Sequence, residues 1–355
     1  MVKVSVIMPV FNASEYLEES INCILNQTLT DLELICIDDG STDGSLNILN
    51  KLASSNSCIQ VYHQENKGGG AARNLAITYA TGEYLYCMDA DDLINLDALE
   101  KLYNVAKEKD LDFVIFQAIN YDDKLDKYYH TDYYDMSRIA KTMGDRVFSF
   151  DDLGKQIFNI SVTPWCKLYN LDFVKKTGAQ FAEGLIFHDN IFYWDLIFHA
   201  KRIYFLKEVL YTRRRHIESS TGAKDKRYVS TIAIYNMIIQ RFIDNNYFEE
   251  YKAILCNKKM NFAYRRFSEV KDEYKPYFFS EMKKDFSKML NHELYDEFLE
   301  IVSKRNKRRF QDVVRSKDYK EFKKLYDVHE LKKNVEKKPK NDGLGMKFKK
   351  LLKKF

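Results

Sequence analysis

The chain has 355 residues, of which 45% are hydrophobic, and its formal net charge is +4. This length and composition exclude a disordered or fibrous chain and describe a globular protein with a substantial core. The charge is uneven, because residues 331–355 contain ten Lys and only two acidic residues. The preceding 330 residues therefore carry a balance of −4, which argues against a nucleic-acid-binding body.

Cysteine spacing and hydropathy indicate the compartment. None of the cysteines forms a C-x-x-C pair or a zinc-binding pattern, which favours a reducing cytoplasm. We recognise no signal peptide, and no apolar run approaches the roughly 20 residues that cross a bilayer. We therefore expect a cytoplasmic protein that is neither secreted nor membrane-spanning.

Strand-like and helix-like patterns alternate along the first 120 residues. Short apolar runs predict strands at 4–8, 32–37, 59–62, 84–88 and 113–116, and we expect Pro9 to end the first of them. Between the strands lie helical patterns. This alternation predicts an α/β fold with a mostly parallel sheet flanked by helices, whose ligands bind at the carboxyl ends of the strands.

The rest of the chain is less regular. Residues 121–160 are polar and rich in tyrosine, which indicates an insertion or an acceptor-side subdomain. A helix at 189–200 and a strand at 202–211 follow, and residues 226–330 predict a helical region. Glycine and proline at 337–345 indicate a linker.

The fourth predicted strand ends in Asp89, Asp91 and Asp92. In an extended segment, Asp89 and Asp91 point to the same side. Carboxylates at the mouth of a buried strand need a cationic partner, and Mg²⁺ or Mn²⁺ carrying a nucleotide diphosphate would supply one. The alternative is an acidic cap for the helix that begins near Asn95.

Two further motifs follow predicted strands. Asp38 and Asp39 would accept hydrogen bonds from a base or ribose, or their loop would merely cap the next helix. The glycines at 68–70, followed by Arg73, would bind an anion at a helix N-terminus, or they would form a tight turn. Because Pro9 follows the first strand, the G-x-G-x-x-G fingerprint of dehydrogenases is missing there.

Four motifs together resemble the family 2 glycosyltransferases, which have the GT-A nucleotide-diphospho-sugar transferase fold. The resemblance is specific over residues 1–120 and weaker over 161–222. The motifs are Pro9-Val10-Phe11-Asn12, Asp38-Asp39-Gly40-Ser41-Thr42-Asp43, Asn66-Lys67-Gly68 with Ala72-Arg73-Asn74, and Asp89-Ala90-Asp91-Asp92.

The resemblance implies a nucleotide pocket at the first two motifs. Pro9 and Phe11 would line it, with Phe11 in place of the commoner Tyr. Asp39 would contact the base, usually uracil, with Asp38 beside it.

The other two motifs are implied to hold the phosphates. Asn66 and Arg73 occupy positions that help to bind the nucleotide. Asp89 and Asp91 match the D-x-D motif of the family, with Asp91 as the direct ligand of Mn²⁺ or Mg²⁺.

Inverting transfer also needs a base that takes the proton of the acceptor hydroxyl. The resemblance assigns this role to Asp189, preceded by His188 where Glu is usual. Without the upstream motifs, Asp189 would be a helix cap. His216 lies in a later family segment that approaches the diphosphate or metal, so it is a further candidate ligand; alternatively, it is a solvated histidine.

The C-terminal segment 344–355 places Leu and Phe on one helical stripe and Lys on the rest. Such a short basic amphipathic helix suits reversible binding to an anionic membrane surface. A frayed tail or a partner-binding helix are the alternatives. Membrane binding would make the protein peripheral on the inner face of the cell membrane.

We predict a GT-A domain at 1–222, divided into a nucleotide-binding half (1–120) and an acceptor-side half (121–222). A helical region at 223–336 and the linker and tail at 337–355 complete the chain.

The predicted function is inverting, metal-dependent transfer of one sugar from a nucleotide sugar, with UDP expected, to a hydroxyl of a cell-surface glycan or lipid-linked saccharide. We expect no nucleic-acid partner. The alternatives are a nucleotidyltransferase acting on sugar phosphates and a non-enzymatic protein that binds membranes or nucleic acid.

Overall fold

The structure, a computed structural model, describes residues 1–216 and 223–336, with side chains up to residue 330. The predicted linker and tail at 337–355, and with them the membrane-binding segment 344–355, lie outside the described residues. Within the described residues, no helix combines the length and apolar character that a bilayer-crossing segment needs.

The central feature is a mixed sheet with the strand order β3-β2-β1-β4-β8-β6-β9-β5, and β7 pairs with β6. The first four strands along the chain pair in parallel, whereas β8 pairs antiparallel with both β4 and β6. The strands are β1 (Val4–Val10), β2 (Leu32–Asp38), β3 (Ile59–His63), β4 (Tyr84–Cys87), β5 (Leu93–Ile94), β6 (Phe113–Asp122), β7 (Lys127–Tyr129), β8 (Lys167–Asn170) and β9 (Ile203–Arg215).

Helices flank the sheet and form the C-terminal region, which confirms the predicted α/β class. Within the described ranges they are α1 (Leu17–Leu25), α2 (Ser45–Ser55), α3 (Gly69–Tyr79), α4 (Ala98–Glu108), α5 (Asp132–Asp135), α6 (Ser137–Met143), α7 (Phe150–Leu153), α8 (Leu171–Thr177), α9 (Asp189–Ile197), α10 (Ser230–Asp244), α11 (Phe248–Glu269), α12 (Lys275–Ser287), α13 (Tyr295–Ile301), α14 (Lys304–Arg315) and α15 (Tyr319–Glu336).

The strands that support the predicted site are the buried ones. All seven residues of β2 are buried, as expected of a parallel strand covered on both faces. Strand β1 continues through Pro9 and ends at Val10, although the sequence predicts that the strand ends at the proline. Because β4 ends opposite Ile7, no ladder bond from that side requires the N–H that proline lacks.

Strands β6 and β9 are longer than the sequence predicts. They pair in parallel along their length, with register shifts on either side of Gln117. The amide of Gln117 donates to the side chain of Asp135 at 2.8 Å, so a polar position in this strand is satisfied by helix α5. The region 121–160 therefore contains the end of β6, the hairpin to β7 and three short helices.

The chain divides into two compact units. The first comprises Met1–Ala223 and Asn236–Asn246 and contains the sheet. The second comprises Lys224–Tyr235 and the chain from Tyr247 onward, and it is helical over its described residues, which end at 336. Aromatic residues form the core of the second unit. Phe322 lies 4.8 Å from Phe279 and 5.3 Å from Phe267 between ring centroids.

Candidate active site

Parallel pairing brings the predicted motifs to one edge of the sheet. Val10 at the end of β1 pairs with Asp38 at the end of β2, and Ile7 pairs with Cys87 at the end of β4. The loops after these strands therefore begin side by side. This geometry places the first, second and fourth motifs on the edge where open α/β sheets bind ligands.

The carboxylate of Asp39 anchors the loop that precedes α3. Its Oδ1 accepts hydrogen bonds from the side chain of Gln64 at 2.7 Å and the backbone N–H of Lys67 at 2.8 Å, and its Oδ2 accepts from the N–H of Gly68 at 2.8 Å. Asp39 is 2% exposed. It therefore shapes the glycine loop, and its predicted contact with a base stays a prediction.

Asp38 and Phe11 occupy opposite environments at this edge. Asp38 is fully buried, and its Oδ2 lies 2.7 Å from Nδ1 of His63, while its Oδ1 has no hydrogen-bond partner. The ring of Phe11 is 50% exposed directly after β1. A large exposed ring beside a strand end is available for stacking, whereas Asp38 lies behind the surface.

The backbone of Asn66 packs against Gly40 at this edge of the sheet. A Cβ atom added to Gly40 would lie 2.9 Å from the backbone nitrogen of Asn66, and Gly40 has a φ of +74°. Glycine is required there because of both the close approach and the left-handed backbone. The glycine of the second motif thus lets the loop containing Asn66 pack against it, and the side chain of Asn66 is exposed.

Asp92, the last acid of the fourth motif, is committed to the fold. Its Oδ2 accepts from the hydroxyl of Tyr211 at 2.6 Å and its Oδ1 from the N–H of Arg214 at 2.7 Å. Burial raises the pKa of Asp92 well above its usual value, with further contributions from Asp91 and Asp89. Asp92 therefore ties β9 to the acid motif, and both of its oxygens are engaged.

Asp91 and His216 lie together. Oδ2 of Asp91 is 2.7 Å from Nε2 of His216, and their side chains are 27% and 13% exposed. The ring of Tyr16 packs on the imidazole at 4.8 Å between centroids. The two residues predicted independently as metal ligands are therefore neighbours, although 125 positions separate them in the chain.

Arg73 connects the glycine loop to the acid motif. Its guanidinium forms an ion pair with Asp89, donates to the carbonyl of Gly69 at 3.3 Å and lies 5.5 Å from the ring centre of Phe181. Arg73 is 6% exposed. Burial raises the pKa of Asp89, and the guanidinium of Arg73 opposes that rise.

His188 lies between Arg73 and Asp189. Nε2 of His188 is 3.5 Å from Nη1 of Arg73, and its Nδ1 is 2.9 Å from Oδ1 of Asp189. A guanidinium only donates, so Nε2 accepts and we assign the ring proton to Nδ1, whose contact with Asp189 is close but does not have the geometry of a hydrogen bond. Burial acts to raise the pKa of Asp189, but the neighbouring His188 and Arg73 outweigh it and lower this pKa below its usual value.

The acid motif fits a hard divalent cation. Asp89, Asp91 and Asp92 each offer a carboxylate oxygen, and these three atoms lie within 4.8 Å of one another. Oxygen ligands of this kind suit Mg²⁺ and Mn²⁺. Since Asp92 is engaged by β9, Asp91 and Asp89 are the residues with an exposed carboxylate, and His216 stands beside Asp91.

Several contacts of the site have no signal in the sequence. Phe181 packs on Arg73 and, at 5.6 Å between centroids, on the ring of His188, yet it lies in an irregular segment. In the sequence, Tyr211 resembles any aromatic residue of a strand, and only the structure shows that its hydroxyl donates to Asp92. Only the tertiary packing assigns these side chains to the site.

Comparison with known proteins gives one family. Residues 5–174 match the model described as Glycosyl transferase family 2. Glycosyltransferase GlyG of Streptococcus pneumoniae is 33% identical over 217 residues, covering 60% of this chain and 70% of that protein. Cholesterol galactosyltransferase of Borreliella burgdorferi is 31% identical over 245 residues, covering 66% of each.

The fold is similar to that of a solved structure, TarS 1–349 of S. aureus in complex with UDP. That structure superposes with a TM-score of 0.68 at 19% identity, covering 93% of this chain and 91% of that chain. The similarity confirms the predicted GT-A fold with a helical C-terminal region.

The anchoring role of Asp39 leads to a prediction for Asp39→Asn. The amide NH₂ would face backbone donors, so the N–H groups of Lys67 and Gly68 should exchange with solvent roughly tenfold faster. Hydrogen exchange measured by mass spectrometry or NMR tests this. Asp43→Asn, which alters contacts to Ser14 and Ser45 instead, is the control and should leave exchange at 67–68 unchanged.

Proposed function

Because the chain belongs to glycosyl transferase family 2, we propose that it transfers a single sugar, with inversion and with a divalent metal, from a UDP-sugar to a hydroxyl group. Membership in this family sets aside the nucleotidyltransferase and the non-enzymatic alternatives. The observation that carries the proposal is the continuous row of contacts from Asp89 through Arg73 and His188 to Asp189.

The donor would bind along the strand ends. Phe11 would stack on the base, with Pro9 behind it and Asp39 fixing the loop that faces the nucleotide. Asp38 would support this edge from below, and Asn66 would face the nucleotide from its exposed loop. UDP is favoured because TarS, which has the same fold, binds it.

Arg73 and the acid motif would organise the diphosphate. Asp91 would hold the metal, with Asp89 and His216 as further ligands, and bound Mn²⁺ or Mg²⁺ would supply Lewis-acid stabilisation to the departing diphosphate. The guanidinium of Arg73 orients Asp89 and opposes the rise of its pKa that burial causes. Its position beside the loop before α3 adds positive charge where phosphates are expected.

Asp189 would act as the general base. Its lowered pKa keeps it ionised at neutral pH, and its side chain is 26% exposed, so an acceptor hydroxyl can approach it. His188 would position the carboxylate through its Nδ1 proton. Attack by an activated hydroxyl from the side opposite the diphosphate gives inversion of the anomeric carbon.

The acceptor and the location complete the proposal. We propose that the acceptor is a cell-surface glycan or a lipid-linked saccharide, bound by the half at 121–222 beside the nucleotide-binding half at 1–120. The protein would act at the inner face of the cell membrane and would be held there by residues 344–355. The helical region 223–336 would complete the protein.

The decisive experiment for transfer uses Asp189→Asn and a panel of nucleotide sugars. We expect one UDP-sugar to raise the melting temperature of wild type and variant alike, while kcat of the variant falls roughly 100- to 10,000-fold. NMR of the product should show inverted anomeric configuration. If no nucleotide sugar stabilises the wild type, or if Asp189→Asn transfers at the wild-type rate, the proposal fails.

The acid motif allows a matched pair of variants, Asp91→Asn and Asp92→Asn. Asp91→Asn should weaken Mn²⁺ binding roughly 100-fold, because a hard cation depends on charged oxygen ligands. Asp92→Asn should change it by less than about threefold, since its oxygens are bonded to Tyr211 and Arg214. Calorimetric titration with Mn²⁺ measures both; equal losses would contradict the assignment.

The pH dependence of kcat tests the role of His188. A base whose pKa is lowered loses activity only as pH falls through that lowered pKa, so the wild type should stay active into the acidic range. His188→Leu removes the imidazole and leaves burial to dominate, which moves the acid limb to higher pH. His199→Leu, at an exposed position just after the C-terminal end of α9, should leave the acid limb at the wild-type pH.

A further inference from the structure

Helix α14 concentrates positive charge in the second unit. Its twelve residues include one acid, Asp312, and a set of basic residues: Lys304, Arg305, Lys307, Arg308, Arg309 and Arg315. Residues 224–235 and 247–330 of this unit carry a balance of +6, of which α14 supplies +5. The helix therefore holds nearly all of the net positive charge of its unit.

One side of α14 is fixed in the core. Phe310 packs on Phe298 at 5.0 Å and on Phe286 at 5.9 Å between ring centroids, and Val313 is fully buried. The side chain of Ser303 accepts from the N–H of Asn306 and caps the helix. The orientation of the helix is thus set by packing, independently of its charges.

The opposite face presents the basic side chains. Lys304, Arg308 and Arg315 stand at i, i+4 and i+11, which aligns them along one exposed stripe about 16 Å long. Arg305 is exposed beside the stripe, and Lys307 is partly exposed on its other side. This face, the stripe with its two flanking residues, is called the α14 basic face below.

Within the described residues, no cation of the α14 basic face forms an ion pair. Asp312 instead lies 3.1 Å from Nε2 of His329. Elsewhere in the same unit, cations form ion pairs with acids, as in the pairs Arg265–Glu269, Lys275–Asp272 and Lys323–Asp327. The α14 basic face has Asp312 as its nearby acid, and the charges of Arg308 and Arg315 act to lower the pKa of Asp312 without forming an ion pair with it.

The charges of α14 also oppose its own helix dipole. Three of its first four residues are basic (Lys304, Arg305 and Lys307), and its first turn contains no acid. The N-terminus of a helix carries partial positive charge, so cations there destabilise the helix. Helices α1, α11 and α13 have two acids each in the first turn, as the dipole favours. The stability of the helix therefore does not explain why cations stand at its N-terminus, whereas binding to an anionic partner would.

We propose that the α14 basic face is a docking surface for an anionic lipid membrane, independent of the sugar-transfer site. A planar lipid surface presents anionic headgroups along the whole length of the extended stripe. Arginine, which predominates on α14, matches phosphate oxygens bidentately. The segment after α15, residues 337–355, has eight Lys and one acid, and stable peripheral anchoring takes two signals.

The test measures how two triple variants of the full chain bind to vesicles. The vesicles consist of phosphatidylcholine alone or of phosphatidylcholine with about 30% phosphatidylglycerol, which makes their surface anionic. Lys304→Gln/Arg308→Gln/Arg315→Gln neutralises the stripe. Arg265→Gln/Lys275→Gln/Lys323→Gln removes the same charge from paired positions. Both variants keep residues 337–355, so the contribution of that segment cancels.

We expect wild type to bind the anionic vesicles in a salt-sensitive manner. The stripe variant should bind roughly 10- to 100-fold more weakly, and the control variant should stay within about threefold of wild type. The melting temperature of the stripe variant should stay within about 3 °C of wild type, because loss of Lys304 relieves the opposed helix dipole whereas loss of Arg315 removes a favourable charge from the last turn. Transfer to a soluble acceptor should be unchanged, which separates this proposal from the proposed function.

Three results would overturn the proposal. The first is that wild type binds the anionic vesicles no better than the neutral ones. The second is that the stripe variant and the control variant lose binding equally, which would reduce the effect to net charge. The third is that the stripe variant binds vesicles as wild type does but loses affinity for duplex DNA or polyphosphate, which would identify a soluble polyanion as the partner.

Discussion

The ion pair between Arg73 and Asp89 is the interaction on which the candidate active site depends. It joins the helix after the glycine loop to the acid motif, and through His188 it reaches Asp189 on α9. A guanidinium is always charged and can only donate, so its neighbours must be acceptors. That requirement favours the ionised form of Asp89 against the effect of burial and assigns the ring proton of His188 to Nδ1.

The carboxylates at the sheet edge are not equivalent. Asp39 and Asp92 are saturated by loop and strand donors and serve to shape the edge. Asp91 and Asp189 keep part of their surface exposed beside a histidine. Packing thus divides similar side chains into structural anchors and candidates for chemistry, because buried carboxylates generally need hydrogen-bond donors while a reacting one must stay accessible. Asp38 is an exception among the buried ones, since its Oδ1 has no hydrogen-bond partner.

The regions of the chain differ in how well local sequence patterns predicted their secondary structure. The first four strands were predictable because buried parallel strands are continuous apolar runs. Strands β6 and β9 extend beyond their apolar runs, since each satisfies the backbone of the other and Gln117 finds a partner in Asp135. The helices of 121–160 gave no periodic signal because they are short: α5 and α7 have four residues each and α6 has seven.

The sequence by itself determined the α/β class, the order of the motifs and the residue types of the site, because strand burial and motif spacing are local properties of the chain. Tertiary structure alone decided which acids are engaged, that His216 stands beside Asp91, and that His188 bridges Arg73 and Asp189. The contacts of His216 with Asp91 and of His188 with Arg73 join residues more than 100 positions apart in the chain. The others depend on how the elements pack against one another. No local pattern records such distances, so only the folded chain sets them.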